Sequence, residues 1–215
     1  MKKLVIFDLD GTLLNTISDL GAACNHVLES NGYPTHPLDA YRWFVGRGIR
    51  NLVISALAPN VLPDEAVDRL LAQFKTYYIA HKTDLTRPYE GINELLHTLR
   101  RMGIRLAVAS NKFQTGTEEL VRHYWGDELF DVVLGQREGI PIKPDPQIVY
   151  DILAATGMTA SDCLYLGDTG IDMQTAAHAG IESIGVAWGF RSKEELEAAG
   201  ACHLIDQPAE TISWL

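Results

Sequence analysis

Two aspartates, two residues apart at the end of an apolar run, constrain this chain more than any other feature. Leu4-Val5-Ile6-Phe7 is an unbroken run of β-formers that stops at Asp8-Leu9-Asp10-Gly11-Thr12-Leu13. A short apolar run bounded by turn residues reads as a strand buried on both faces. Side chains at i and i+2 of an extended segment point the same way, so Asp8 and Asp10 share a side at the strand's carboxyl end. Like charges this close are costly unless a cation or a proton lies between them. The pair therefore asks for a metal ion, a shared proton, or both. Asp10-Gly11 between apolar residues is also a turn signal, and a turn can carry the two carboxylates.

Residues 15 to 86 carry a helical pattern. Ile17, Leu20, Cys24, Val27 and Leu28 recur at three- and four-residue spacing in a predicted helix over 16–31, with Asn15 or Thr16 as cap and Gly32 as stop. Further helices are predicted over 38–45 and 49–58. Another follows Pro63-Asp64-Glu65, with Val67, Leu70, Leu71, Phe74 and Tyr78 on one face. From Arg87-Pro88-Tyr89-Glu90-Gly91 onward strand and helix signals alternate. Strands are predicted at 104–109, 132–134, 163–166, 183–187 and 203–205, and helices at 92–102, 115–124, 147–156, 173–179 and 193–199. Such alternation implies an α/β fold with a doubly wound, Rossmann-like parallel sheet. The first strand has no partner in the helical block, so it belongs with the later ones. The expected organisation is a discontinuous core, residues 1–14 and 87–215, with a helical cap, 15–86, inserted after the first strand. In open parallel sheets the ligand site lies beyond the carboxyl ends of the strands. Asp8, Ser110 and Asp168 each fall at such an end.

Charge narrows the ligand. Eighteen Lys and Arg against 28 Asp and Glu give a formal charge of −10. That excludes the broad basic face which nucleic acids or anionic membranes require. An anionic ligand would have to be held by a few local cations. Cys24, Cys163 and Cys202 are scattered and form no CxxC pair, which fits a reducing cytosol. Lys2-Lys3 precede only a short apolar run with an aspartate behind it, neither signal peptide nor membrane span. A cytoplasmic location is expected, with monomer and dimer both open.

The chemistry-bearing residues complement one another. Carboxylate oxygens are hard ligands suited to Mg²⁺, which binds through one or two carboxylates plus a substrate phosphate. Phosphoryl transfer is stabilised mainly by positioning and electrostatics. Lys143, the Ser110 hydroxyl and backbone N–H groups can supply these. With such charge at hand a carboxylate becomes a competent nucleophile, and a second acid can protonate the leaving oxygen and then activate water.

Phe7-Asp8-Leu9-Asp10-Gly11-Thr12-Leu13, Ser110-Asn111, Lys143-Pro144 and Gly167-Asp168-Thr169-Gly170-Ile171-Asp172 together resemble the four ordered motifs of the haloacid dehalogenase-like hydrolases, phosphoglycolate phosphatase-like branch. Singly the first and last motifs are moderately specific, whereas Ser110-Asn111 is a common strand end and Lys-Pro alone is commonly a solvated loop. The resemblance implies Asp8 as nucleophile and Asp10 as general acid/base. It implies Mg²⁺ held by the Asp8 carboxylate, the Asp10 backbone carbonyl and Asp168, with Asp172 behind the ligands. It gives Ser110 and Lys143 the phosphoryl group, aided by N–H groups of Leu9, Asp10 and Asn111. Thr12 is expected to fix Asp10 or the local turn. Asn15 departs from the aspartate common at that position in the branch. Gly46-Arg47-Gly48 is similar to the family's cap loop, so Arg47 is a candidate contact for a substrate carboxylate or a solvated residue in a helix break. Lys112 and Arg50 are weaker candidates. The histidines read as surface or packing residues, and Trp43, Tyr77, Tyr78 and Tyr89 as packing between cap and core.

The resemblance implies a Mg²⁺-dependent phosphatase acting on a small phosphorylated metabolite, 2-phosphoglycolate among them. A sugar phosphomutase, a pyrophosphatase and a non-catalytic phosphometabolite sensor stay open. A metal-free dehalogenase fits poorly beside Asp10, Lys143 and Asp168.

Overall fold

The strand β1, Leu4–Phe7, occupies the middle of a six-stranded parallel sheet in the computed structural model, which describes residues 1–215. In chain order the other strands are β2 (Leu14–Asn15), β3 (Arg87–Pro88), β4 (Arg105–Phe113), β5 (Val132–Gln136), β6 (Cys163–Gly167), β7 (Glu182–Val186) and β8 (His203–Ile205). The large sheet runs β5-β4-β1-β6-β7-β8, while β2 and β3 pair separately. Val5 lies opposite Leu106 on one side and Leu164 on the other, and Phe7 opposite Val108 and Leu166.

A strand central in such a sheet must be apolar on both faces, and all four residues of β1 are fully buried. The two-residue period splits the core into two layers. Val5, Phe7, Leu106, Val108, Leu164 and Leu166 pack with Leu95, Leu96 and Leu99 of α5 (Ile92–Arg101). Leu4, Ile6, Ala107, Ala109 and Tyr165 pack on the opposite face with Ile148, Val149 and Ile152 of α7 (Gln147–Thr156). Each fully buried Val, Leu, Ile or Phe among them contributes roughly 1.5–3 kcal/mol.

The chain divides into two compact units, Met1–Leu14 with Pro88–Leu215, and Asn15–Arg87. The second contains α1 (Ile17–Ser30), α2 (Tyr41–Phe44), α3 (Gly48–Leu57) and α4 (Asp64–His81). Within it the buried Asp19 accepts backbone N–H bonds from Leu85 and Thr86 at 2.8–3.1 Å, which ties α1 to the returning chain. Arg50 pairs with Asp64 and Asp68, and so serves this unit's own helices.

Several local expectations need correction. The predicted strand 104–109 continues to Phe113 through a register shift between Ala109 and Phe113, so Ser110-Asn111-Lys112 stay extended and buried. Their polar groups bond within the core unit, which removes the usual reason for a polar triplet to leave a sheet. The 38–45 helix splits into a 3₁₀ turn, Leu38–Ala40, and α2. Neither Asn15 nor Thr16 caps α1 through its side chain: Asn15 lies in β2, and the Thr16 hydroxyl is buried without a partner. The helix expected at 173–179 begins at Gly170, so α8 (Gly170–His178) starts two residues after Asp168. A carboxyl-terminal 3₁₀ helix, Pro208–Trp214, had no signal. Trp43 is two-thirds exposed, while Tyr77 stacks between His26 and His81.

Candidate active site

Side chains at the carboxyl ends of β1 and β6 and in the first turn of α8 meet in one buried cluster. Oxygen atoms of Asp8, Asp168 and Asp172 all lie within 4.8 Å of one another, and the three residues are buried. Asp8 directly follows β1 and Asp168 directly follows β6, the adjacent parallel strand in register with it. Asp172 sits in the first turn of α8, where it completes a capping box: its Oδ2 accepts from the Thr169 hydroxyl at 2.7 Å and the Thr169 N–H at 3.1 Å. A carboxylate at a helix amino terminus is favoured there.

Lys143 threads into this cluster. It is 2% exposed, and its Nζ lies 3.0 Å from Asp8 Oδ1, 2.7 Å from Asp172 Oδ1, 2.8 Å from the Ala109 carbonyl and 3.1 Å from the Tyr165 hydroxyl. Asn111 clamps the lysine's backbone from both sides: its Oδ1 accepts the Lys143 N–H at 2.9 Å, and its Nδ2 donates to the Lys143 carbonyl at 3.1 Å. A residue expected to offer only its own N–H thus also fixes the loop that carries the cation.

Asp168 is boxed in by backbone. Its Oδ2 accepts the Phe190 N–H at 2.8 Å and its Oδ1 the Thr12 hydroxyl at 3.2 Å. A β-carbon at Gly189 would come within 2.2 Å of Asp168 Cβ, and one at Gly11, whose φ is +91°, within 2.2 Å of Asp168 Oδ2. Glycine is required at both positions for the carboxylate to sit here. Thr12 was expected to fix Asp10 or the local turn; its hydroxyl bonds Asp168 rather than Asp10, and its carbonyl accepts the Trp188 indole N–H at 3.0 Å. Asp10 is held by Lys112, whose buried Nζ reaches both carboxylate oxygens at 2.9 and 3.0 Å. Ser110 is buried, with its Oγ accepting the Lys112 N–H at 3.2 Å. The Leu9 N–H donates to Asp8 Oδ1 at 2.7 Å. Arg47 is exposed at the start of α3 in the other unit, where its carbonyl accepts from the Asn51 side chain.

The charges do not balance. Three carboxylates against the single Lys143 ammonium leave two negative charges in a buried space. Burial, then the charge of Asp172, push the Asp8 carboxyl up to about 7 despite Lys143. Burial, with Asp172 and Asp8, also holds Asp168 well above the ordinary carboxylate range. Burial alone would lower the Lys143 pKa, but Asp172 and Asp8 outweigh it and raise it well above normal. An excess of two negative charges on hard oxygen donors fits a divalent cation. Both oxygens of Asp172 already take protein donors, whereas Asp8 Oδ2 takes none. Asp168 also has both oxygens engaged, but by one donor each where each Asp172 oxygen takes two, so Asp8 and Asp168 keep acceptor sites open to such an ion.

The family model described as haloacid dehalogenase-like hydrolase matches residues 5–186. The chain belongs to that family. It is 31% identical over 210 residues to the phosphoglycolate phosphatase of Pseudomonas putida, covering 96% of this chain and 77% of that protein. It resembles the crystal structure of a predicted phosphoglycolate phosphatase from Haemophilus somnus, with a TM-score of 0.90, 26% identity and coverage of 99% and 97% of the two chains. It also resembles CbbY from Rhodobacter sphaeroides in complex with phosphate, with a TM-score of 0.82, 26% identity and coverage of 98% and 96%. The chain has the α/β fold of those structures and is a hydrolase acting on phosphomonoesters, and no helix in it is long and apolar enough to cross a membrane.

Proposed function

We propose that this chain is a Mg²⁺-dependent phosphatase that hydrolyses a small phosphomonoester through an aspartyl-phosphate on Asp8, with 2-phosphoglycolate the first substrate to test. The observation that carries this reading is the convergence on Asp8 of a buried lysine and two further buried aspartates. Asp8 Oδ2, which takes no protein hydrogen bond, attacks phosphorus as the ester P–O bond breaks. Asp10, protonated, gives its proton to the departing oxygen. The Asp10 carboxylate then takes a proton from water, the resulting hydroxide attacks phosphorus, and the bond to Asp8 breaks to release phosphate. Asp10 ends protonated, so the cycle closes. Lys143 and Ser110, with the N–H groups of Leu9, Asp10 and Asn111, hold the phosphoryl oxygens. Asp8, Asp168 and the Asp10 carbonyl would hold Mg²⁺, which neutralises phosphoryl charge and lets an anion approach Asp8. Lys112 keeps Asp10 in place until substrate arrives.

The relatives named phosphoglycolate phosphatase support the choice of substrate. The acidic surface and free cysteines support a cytoplasmic enzyme that binds neither nucleic acid nor membrane. The helical unit Asn15–Arg87 serves in this reading as the cap, with Arg47 contacting the substrate carboxylate. Purified protein with p-nitrophenyl phosphate should turn over with Mg²⁺ and lose turnover in EDTA; no metal-dependent turnover would favour a sensor. A panel of phosphorylated metabolites then separates phosphatase from phosphomutase and pyrophosphatase. Arg47→Ala should raise KM for 2-phosphoglycolate about tenfold while leaving KM for p-nitrophenyl phosphate unchanged. Equal changes for both substrates would remove Arg47 from specificity.

A further inference from the structure

The buried hydroxyl of Tyr165 is used by nothing in the reaction as written, yet it stands among the lysine's own partners. Tyr165 lies on β6, fully buried, with its ring below the Lys143 ammonium, 5.8 Å from Nζ to the ring centroid. An ammonium has three protons. Lys143 faces four oxygens: Asp8 Oδ1, Asp172 Oδ1, the Ala109 carbonyl and Tyr165 itself. Turning an N–H onto a phosphoryl oxygen therefore requires Lys143 to release an acceptor it now holds. A buried acceptor left alone carries a full desolvation penalty. Two of the acceptors it could release are also within reach of the phenol. Its oxygen lies 3.3 Å from Asp172 Oδ1 and 3.4 Å from the Ala109 carbonyl. Both contacts are long while the lysine occupies the same oxygens at 2.7 and 2.8 Å.

We propose that Tyr165 is a positioning residue that acts as a stand-in donor for Lys143. When the ammonium turns to a phosphoryl oxygen, the Tyr165 O–H closes on the Ala109 carbonyl or Asp172 and satisfies the oxygen the lysine leaves. The hydroxyl suits this because it can accept from Lys143 in one state and donate in the other. No proton changes owner and no bond is made beyond hydrogen bonds. The inference rests on the proposed phosphate-binding role of Lys143.

The test is binding of inorganic phosphate in saturating Mg²⁺, measured by calorimetry on wild type and Tyr165→Phe. Phenylalanine fills the same space less one oxygen. Phosphate affinity is expected to fall about tenfold in the variant, the factor that corresponds to one unpaired buried acceptor. Its kcat/KM for p-nitrophenyl phosphate should fall by a similar factor. A merely structural tyrosine would lower the melting temperature and leave phosphate affinity unchanged, and that result overturns the inference while the phosphatase reading stands. Failure of the wild type to bind phosphate or turn over would overturn both. A measurement without any variant covers misfolding of Tyr165→Phe. With ¹³C-ring-labelled tyrosine in the wild type, phosphate should shift the Cζ resonance of a buried tyrosine, and no shift in any tyrosine overturns the inference.

Discussion

Replacing Asp8 by asparagine is expected to lower turnover of p-nitrophenyl phosphate by at least about 10⁴-fold while the protein stays folded. The amide has the same shape, and its oxygen can still accept from the Leu9 N–H and from Lys143. What it cannot do is form the bond to phosphorus. Turnover within about tenfold of the wild type would rule out covalent catalysis through this residue. The same variant probes the electrostatics of the metal-free site. Burial and Asp172 raise the Asp8 carboxyl to about 7, above its ordinary 3.8. A carboxyl raised on folding contributes stability that is fully present below the unfolded value, and it is lost as pH rises through the folded one. In EDTA the wild type should therefore lose stability from about pH 4 to beyond pH 7. Asp8→Asn lacks that component, so its melting temperature relative to the wild type should climb with pH. Mg²⁺ should flatten the wild-type slope. Parallel melting curves for the two proteins across this range in EDTA would contradict the burial argument.

Lys143→Met should be the other severe change. The lysine is the only cation in contact with both Asp8 and Asp172, and all three are buried. Removing one partner of a buried pair leaves charge without compensation and costs about 3–5 kcal/mol. Methionine fills most of the channel, so lost packing contributes little. Metal-free Lys143→Met is therefore expected to unfold at markedly lower denaturant than the wild type at pH 8. The gap should narrow at pH 5, where the carboxylates take up protons more readily. Turnover with Mg²⁺ should fall by about 10³-fold, since a preorganised charge on the transferring group is lost. A variant as stable as the wild type at both pH values would show that the carboxylates were already neutral.

The strands that carry the site were legible because their apolar runs end abruptly in polar residues. Asp8 and Asp168 could be placed at one sheet edge from periodicity and the rules of parallel sheets alone, whereas the strand end expected at Ser110 lies inside β4. The partnerships were not legible. Thr12 and Asp168 are 156 positions apart, and nothing local in either segment points to the other. Tyr165 sits in the run Cys163-Leu164-Tyr165-Leu166, where an aromatic reads as ordinary strand core. Only the fold brings its oxygen beside Lys143. Lys112 reads from the sequence only as a weaker candidate for a substrate contact, and its bond to Asp10 exists because β4 does not end there. Asn111 carried a signal as part of a motif, but its clamp on Lys143 depends on a loop 32 residues on. Local pattern thus gave the positions, while long-range hydrogen bonding gave the roles.

The pairing of β2 with β3 has a consequence for how such a chain can change. The helical unit begins at Asn15 and ends at Arg87, on two neighbouring strands of a minimal ribbon. A segment whose ends lie side by side closes its own loop, so lengthening, shortening or exchanging it costs the sheet no register and little entropy. The unit Asn15–Arg87 is thus a cassette that can change in length or content without disturbing the strands that carry the buried acids and Lys143.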